Sequence, residues 1–155
     1  MAGNLAAAAL TVAATVAAME LIALAVHKYV MHGFGWGWHR SHHEPRSGVL
    51  EKNDLYALVF AGLSLALFIV GGRWPLLWWV GVGTAVYGLL YGFVHDGLVH
   101  GRLPMRLVPR SGYLKRLVQA HRLHHATKGR EGAVSFGFLY APPIAVLKRK
   151  LKAGR

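Results

Sequence analysis

The sequence predicts an all-α membrane protein of three to four transmembrane helices, with a helical cap at one end of the bundle. Three observations point there. Long apolar stretches at 5–26, 55–72 and 75–94 carry one charge among them, Glu20. The chain is 54% hydrophobic and only 15% charged, yet its formal net charge is +12. Its ten histidines fall into four short groups beside the ends of those stretches.

A helix needs about 20 residues to span the hydrocarbon core, so the first and third stretches qualify and the second is just long enough. Gly71-Gly72-Arg73-Trp74-Pro75 reads as a tight turn between the second and third, with Trp74, Trp78 and Trp79 suited to the interface. The start of the chain lacks a basic segment and a clear cleavage site, so the first stretch is expected to be a retained helix. A fourth stretch, 133–147, is short and broken by Pro142-Pro143, and is expected to be re-entrant or interfacial. A full crossing would carry the basic 148–152 segment to the far side, against the positive-inside rule. All 155 residues are read as one domain.

With three crossings, segments 28–54 and 95–155 share one side, which then holds every Lys and Arg except Arg73. That side is expected to be the cytoplasm, and the location a bacterial inner membrane. The histidines did not enter this argument, yet all ten fall on that side or at its boundary. Such a charge pattern flanks membrane spans and gives no basic stripe for nucleic acid, so none is expected as a partner.

The absence of cysteine excludes disulfides, thiolate-ligated metals, iron–sulfur clusters and thiol nucleophiles. Any metal must be held by nitrogen or oxygen. The histidine motifs are His27-x4-His32, His39-x2-His42-His43, His95-x4-His100 and His121-x2-His124-His125, one wide pair and one HxxHH in each half.

In HxxHH the residues i, i+3 and i+4 share a helix face and can converge on metal. Leu114, Leu117, Val118, His121, His124 and His125 form one such stripe, opposite Lys115, Arg116, Gln119 and Arg122. The x4 pairs fit an ideal helix poorly, because five residues turn about 140°. They can join only where the helix loosens, near Gly33 or near Gly97 and Gly101.

All ten histidines are therefore candidate ligands. Eight to ten imidazoles divide between two five- or six-coordinate ions with a position left open, and neutral imidazole suits iron. Zinc needs fewer ligands, and HxxHH lacks the glutamate of HExxH. A bis-histidine haem electron-transfer subunit is the rival of another class; it leaves HxxHH unexplained. Three carboxylates could orient ligands. Asp96 adjoins His95, Glu20 lies seven residues before His27 inside the first span, and Asp54 opens the second span, where it could merely cap its helix.

From Glu20 to Pro143 the sequence resembles the bacterial β-carotene 3-hydroxylases, the carotenoid branch of the fatty-acid hydroxylase/sterol desaturase superfamily. The resemblance is carried by His27-Lys28-Tyr29-Val30-Met31-His32-Gly33, Gly37-Trp38-His39-Arg40-Ser41-His42-His43-Glu44-Pro45, Asn53-Asp54-Leu55-Tyr56, Val94-His95-Asp96-Gly97-Leu98-Val99-His100, Ala120-His121-Arg122-Leu123-His124-His125-Ala126 and Val134-Ser135-Phe136-Gly137-Phe138-Leu139-Tyr140-Ala141-Pro142-Pro143. It implies a non-haem di-iron monooxygenase using O2 and two electrons from reduced ferredoxin, itself reduced by its reductase.

The implied substrate is a carotenoid drawn from the lipid. β-Carotene would pass through β-cryptoxanthin to zeaxanthin, and ketolated rings would lead toward astaxanthin. A fatty-acid or sterol hydroxylase or desaturase is the alternative within the superfamily. Arg40, Arg102, Arg106, Arg110 and Lys115 are candidate docking charges for an acidic ferredoxin; the same charges could serve only topology and anionic lipid.

Overall fold

A computed structural model describes residues 2–45, 48, 50–105 and 107–154. Among them are six α-helices and no strand. The first, α1 (Ala2–Ala25), is built from alanine and leucine, which favour helix strongly. It continues as a π-helix through Val26–Phe34, giving one apolar helix, Asn4–Phe34, that overruns the expected end at residue 26. Gly33 breaks the helical geometry, and Gly35 leads into α2 (Trp36–His43). Gly35 has no room for a side chain, because the Tyr56 hydroxyl lies against it and donates to its carbonyl at 2.9 Å.

Helices α3 (Asp54–Gly71) and α4 (Pro75–Tyr91) form an antiparallel hairpin, and α4 opens with proline at its first position. A second π-helical segment, Gly92–Val99, prolongs α4 into the apolar helix Pro75–Val99. Three helices are thus long and apolar enough to cross a membrane, and their outward leucines (Leu5, Leu58, Leu89) are exposed, as lipid-facing residues are.

Helix α4 lies between α1 and α3 and touches both through small residues. A Cβ on Gly83 would meet the Thr15 side chain at 2.5 Å, and one on Gly81 would meet Leu67 and Phe68 at 3.2 Å. Ser64 donates to the Gly81 carbonyl at 3.0 Å.

The cap consists of α2, α5 (Gly112–His124) and α6 (Ile144–Ala153). Leu117 and Ala120 of α5 pack with Leu147 of α6 around Val94, Val134 and Ala141. The 10 residues of α6 are too few to cross a bilayer. Within the fourth apolar stretch, 133–143 has no regular structure and passes over the histidines. It reaches as far as Glu20, about 10 Å along α1 from His27.

Candidate metal centre

Winding explains how the wide pairs join the site. A π-helix closes i→i+5 hydrogen bonds, so residues five apart lie one turn above each other. The amide of His100 donates to the carbonyl of His95 at 3.0 Å, and Gly35 does the same to Val30 at 2.9 Å. The imidazole centroids are consequently 5.3 Å apart for His27 and His32 and 4.6 Å for His95 and His100. The loosening that the spacing demands takes this form in both halves.

The histidines gather into two groups. In the first, His27, His32, His39 and His124 bring one nitrogen each within 4.8 Å of the others, and His43 Nε2 lies 3.2 Å from His39 Nε2. In the second, His42, His100, His121 and His125 do the same, with His95 Nε2 2.9 Å from His42 Nε2. Each HxxHH splits, its first and last histidines entering one group and its middle one crossing to the other. The groups adjoin, with the His43 and His125 rings 4.4 Å apart.

Hydrogen bonding fixes the tautomers of the first group. His27, His32, His43 and His124 direct Nδ1 at the carbonyls of Phe136 (2.9 Å), Arg130 (2.7 Å), Thr127 (3.0 Å) and Val134 (3.0 Å), and His39 directs its Nδ1 at Asn53 Oδ1 (2.7 Å). A carbonyl oxygen only accepts, so these imidazoles carry their proton on Nδ1 and a lone pair on Nε2. Those lone pairs face each other at 3.1 Å in the pairs His27–His39 and His32–His124. Such contacts repel unless a cation lies among them. Nitrogens about 2.1 Å from one ion are about 3 Å apart when adjacent, so the donor set fits a metal.

The second group is anchored differently. His42 Nδ1 donates to Glu51 at 3.1 Å, and His95 Nδ1 donates to Asp96 at 2.9 Å. Burial favours the neutral form of His39, His43, His121, His124 and His125, the form a ligand needs. It pushes His39 down to about 3, His43 to about 4 and His125 to about 2, and holds His121 and His124 well below the usual value. Glu51 is also lowered, chiefly by the hydrogen bond from His42. A haem would need two trans imidazoles with the porphyrin plane between them, and neighbouring imidazole nitrogens 2.9–3.2 Å apart leave no such plane.

The remaining candidates sort themselves by contact. Asp96 accepts from His95 Nδ1. Asp54 instead pairs with Arg102 at 2.6 and 2.7 Å and caps the turn at the Glu51 amide. Glu20 hydrogen-bonds to the amides of Phe138, Leu139 and Tyr140 and to the Tyr87 hydroxyl, not to an imidazole, because it lies a full two turns deeper than His27.

Arg102 departs from the docking expectation. Its side chain is 12% exposed and turned inward onto Asp54 and Asp96, which attract it from two helices. Arg110 and Lys115 are exposed, Arg40 is exposed and paired with Glu44, and Arg106 lies outside the described residues. The sequence reading gave no role to Glu51, Asn53 or the carbonyls of the 127–136 loop. Polar residues crowded just before an apolar span were the available signal for the first two.

Below the histidines a cavity of about 510 Å³ opens between α1, α3 and α4, lined by Met19, Tyr56, Phe60, Tyr87, Tyr91 and Phe138 among others. Apart from Phe138, which comes from the 133–143 loop, its lining residues belong to the apolar spans.

The model of the fatty acid hydroxylase family matches residues 12–142. The chain belongs to that family. Within it, the beta-carotene hydroxylase of Pantoea ananas is 62% identical over 146 residues, covering 93% of this chain and 83% of that protein. That of Paracoccus sp. (strain PC1) is 60% identical over 145 residues, covering 92% and 90%. The chloroplastic beta-carotene 3-hydroxylase 1 of Arabidopsis thaliana is 40% identical over 139 residues, covering 86% of this chain and 44% of the plant protein. No solved structure matches. Membership of the hydroxylase family accords with a nitrogen-only metal centre placed against an apolar cavity.

Proposed function

We propose that this chain is a β-carotene 3-hydroxylase with two irons held by its ten histidines. The observation that carries the reading is the juxtaposition of two five-imidazole groups with an apolar cavity at the depth of the spans. Identity of 60–62% to bacterial beta-carotene hydroxylases supports the substrate. Five nitrogens per group exceed the four that zinc takes in structural sites, and neutral imidazole without thiolate suits iron.

His27, His32, His39, His43 and His124 hold one iron, and His42, His95, His100, His121 and His125 the other. Bound there, the irons supply the oxidising power to activate O2 toward an unactivated ring C–H. The reaction inserts one oxygen atom into that bond and releases the other as water, consuming two electrons and two protons. The chain's own part is to bind and orient. Tyr87, Phe60 and Met19 line the entry for a rod-like hydrocarbon, the buried cap keeps bulk water from the centre, and Glu51 and Asp96 hold imidazole protons outward.

The histidine end of the bundle faces the cytoplasm, which places Arg73, in the α3–α4 turn, on the far side and agrees with the positive-inside rule. Electrons arrive from a reduced ferredoxin docked on that basic face, where Arg40, Arg110 and Lys115 are exposed.

Expression in bacteria that accumulate β-carotene, with iron supplied, tests the reading. β-Cryptoxanthin and zeaxanthin are expected. Unchanged pigment from an iron-loaded protein with a working electron donor would refute it.

A further inference from the structure

Phe138 lines the cavity and its ring contacts a histidine of each group. It is 6% exposed. Its ring lies flat on His27 of the first group, at 5.1 Å with 9° between the planes. It meets His95 of the second group edge-on, at 5.3 Å and 86°. Tyr91 braces it from the side at 4.8 Å. Along the cavity, a molecule entering from the bilayer meets this ring against the imidazoles.

The loop that carries Phe138 is held by a carboxylate placed inside an apolar span. Glu20 Oε1 accepts from the amides of Phe138 and Tyr140, each at 2.9 Å. Its Oε2 accepts from the Leu139 amide at 3.0 Å and the Tyr87 hydroxyl at 2.8 Å. Gly137 completes the fit, since a Cβ there would lie 2.6 Å from the Tyr140 carbonyl oxygen and 2.7 Å from Glu20 Oε1. A carboxylate at this depth is costly unless satisfied. Four donors satisfy it, and three of them are consecutive amides, so the backbone under Phe138 has one position.

Substrate chemistry supplies the need for a fixed stop. In a β-ionone ring, carbon 4 is allylic to the ring double bond and carries the weaker C–H bonds. An oxidant free to choose would take hydrogen there. Carbon 3 lies across the ring from the carbon that joins the polyene, at the tip of the rod. Selectivity for carbon 3 must therefore come from the depth and angle at which the ring is halted.

We propose that Phe138, held in place by Glu20, determines the position of hydroxylation by halting the ring end-on, so that carbon 3 rather than allylic carbon 4 faces the histidine groups. Phe138 is the specificity-determining residue and Glu20 its positioning residue. The inference rests on the β-carotene reading above. Reaction at carbon 4 balances as at carbon 3: one oxygen atom enters the C–H bond, the other leaves as water, and the same donor supplies two electrons and two protons.

The test compares wild-type protein with Phe138→Ala, Phe138→Leu, Glu20→Ala and Glu20→Gln, each iron-loaded and given β-carotene and an electron donor. Monohydroxylated products are assigned to carbon 3 or carbon 4 by mass spectrometry and NMR. Phe138→Ala is expected to raise the carbon-4 to carbon-3 ratio about tenfold or more. Phe138→Leu should raise it less, and Glu20→Ala should raise it while Glu20→Gln, which keeps one acceptor oxygen, stays nearer wild type.

A role confined to folding would lower both products together and leave the ratio alone; that result overturns the proposal. If Phe138→Ala loses iron, the ratio in Phe138→Leu decides by the same criterion. Wild-type protein that is loaded and reduced yet hydroxylates no ring overturns the β-carotene reading, and this proposal with it. Carbon-3 product from wild type, with an unmoved ratio in the variants, overturns the proposal alone.

Discussion

Each histidine group takes one wide pair whole and shares both HxxHH motifs with the other, but different chemistry holds the two groups from outside. In the first, four imidazoles donate to peptide carbonyls and the fifth to the Asn53 amide, so every identified partner is neutral. In the second, His42 and His95 donate to the carboxylates of Glu51 and Asp96. A carboxylate behind an imidazole raises its basicity and draws partial positive charge outward, which a carbonyl does less. The duplication of ligands is therefore not a duplication of electronics. One site is fixed mostly by loop carbonyls, the other in part by two acids, Glu51 just before α3 and Asp96 within the Gly92–Val99 segment.

The largest expected effects test the ligand partition itself. His124→Ala and His42→Ala each remove the histidine that crosses from its own motif to the opposite group. Both should abolish hydroxylated product and lower iron per chain while membrane insertion persists, read by pigment analysis and metal content. Full activity in either variant would remove that residue from the centre.

Next come the anchors. Glu51→Gln keeps an acceptor for His42 but loses the charge, and should cost about 10–100-fold in iron affinity or activity. Asn53→Asp adds a charge behind His39 and should retain more activity than Glu51→Gln. Equal losses would erase the distinction between the groups.

Arg102→Met should act on stability more than on chemistry. It strips the mostly buried partner from Asp54 and Asp96, for an expected loss of about 1–3 kcal/mol in a detergent unfolding series. An unchanged midpoint would show that the ion pairs contribute nothing net. Smallest of all is Arg40→Ala, whose pair with Glu44 has side chains 64% and 51% exposed; its stability should stay within about 0.5 kcal/mol of wild type. Charge reversal at Arg110 and Lys115 should instead raise the ferredoxin concentration for half-maximal rate by several-fold, most at low salt. No change there would place the donor elsewhere.

Much of this architecture was legible in residue spacing. The span assignments followed from apolar length, and the stripe on α5 followed from the i, i+3, i+4 pattern. The wide pairs announced that they could not share an ideal helix face, and nearby glycines showed where the helix could yield. That it yields as π turns was not readable, because the choice depends on which carbonyl each amide finds.

The splitting of each HxxHH was equally hidden. Imidazoles at i, i+3 and i+4 fan over a helix face, and only packing against a second cap helix decides which of them belongs with which ion. The loop carbonyls at 127, 130, 134 and 136 have no side-chain signature at all. Glu20 stood out as a carboxylate in an apolar span, but its partners are distant in sequence, the Tyr87 hydroxyl and three amides of the 138–140 loop.

The exchange of middle histidines also bears on how the protein is made. His42 emerges early in synthesis but belongs with His121 and His125, and His124 completes a group begun at His27. The carbonyl that orients His27 comes later still, at Phe136. Neither group is complete in a nascent chain that has threaded only its first helices. Metal capture at this candidate centre would therefore follow insertion of all three spans and closure of the loop, and a stalled or truncated product would be left without a finished set of ligands in either half.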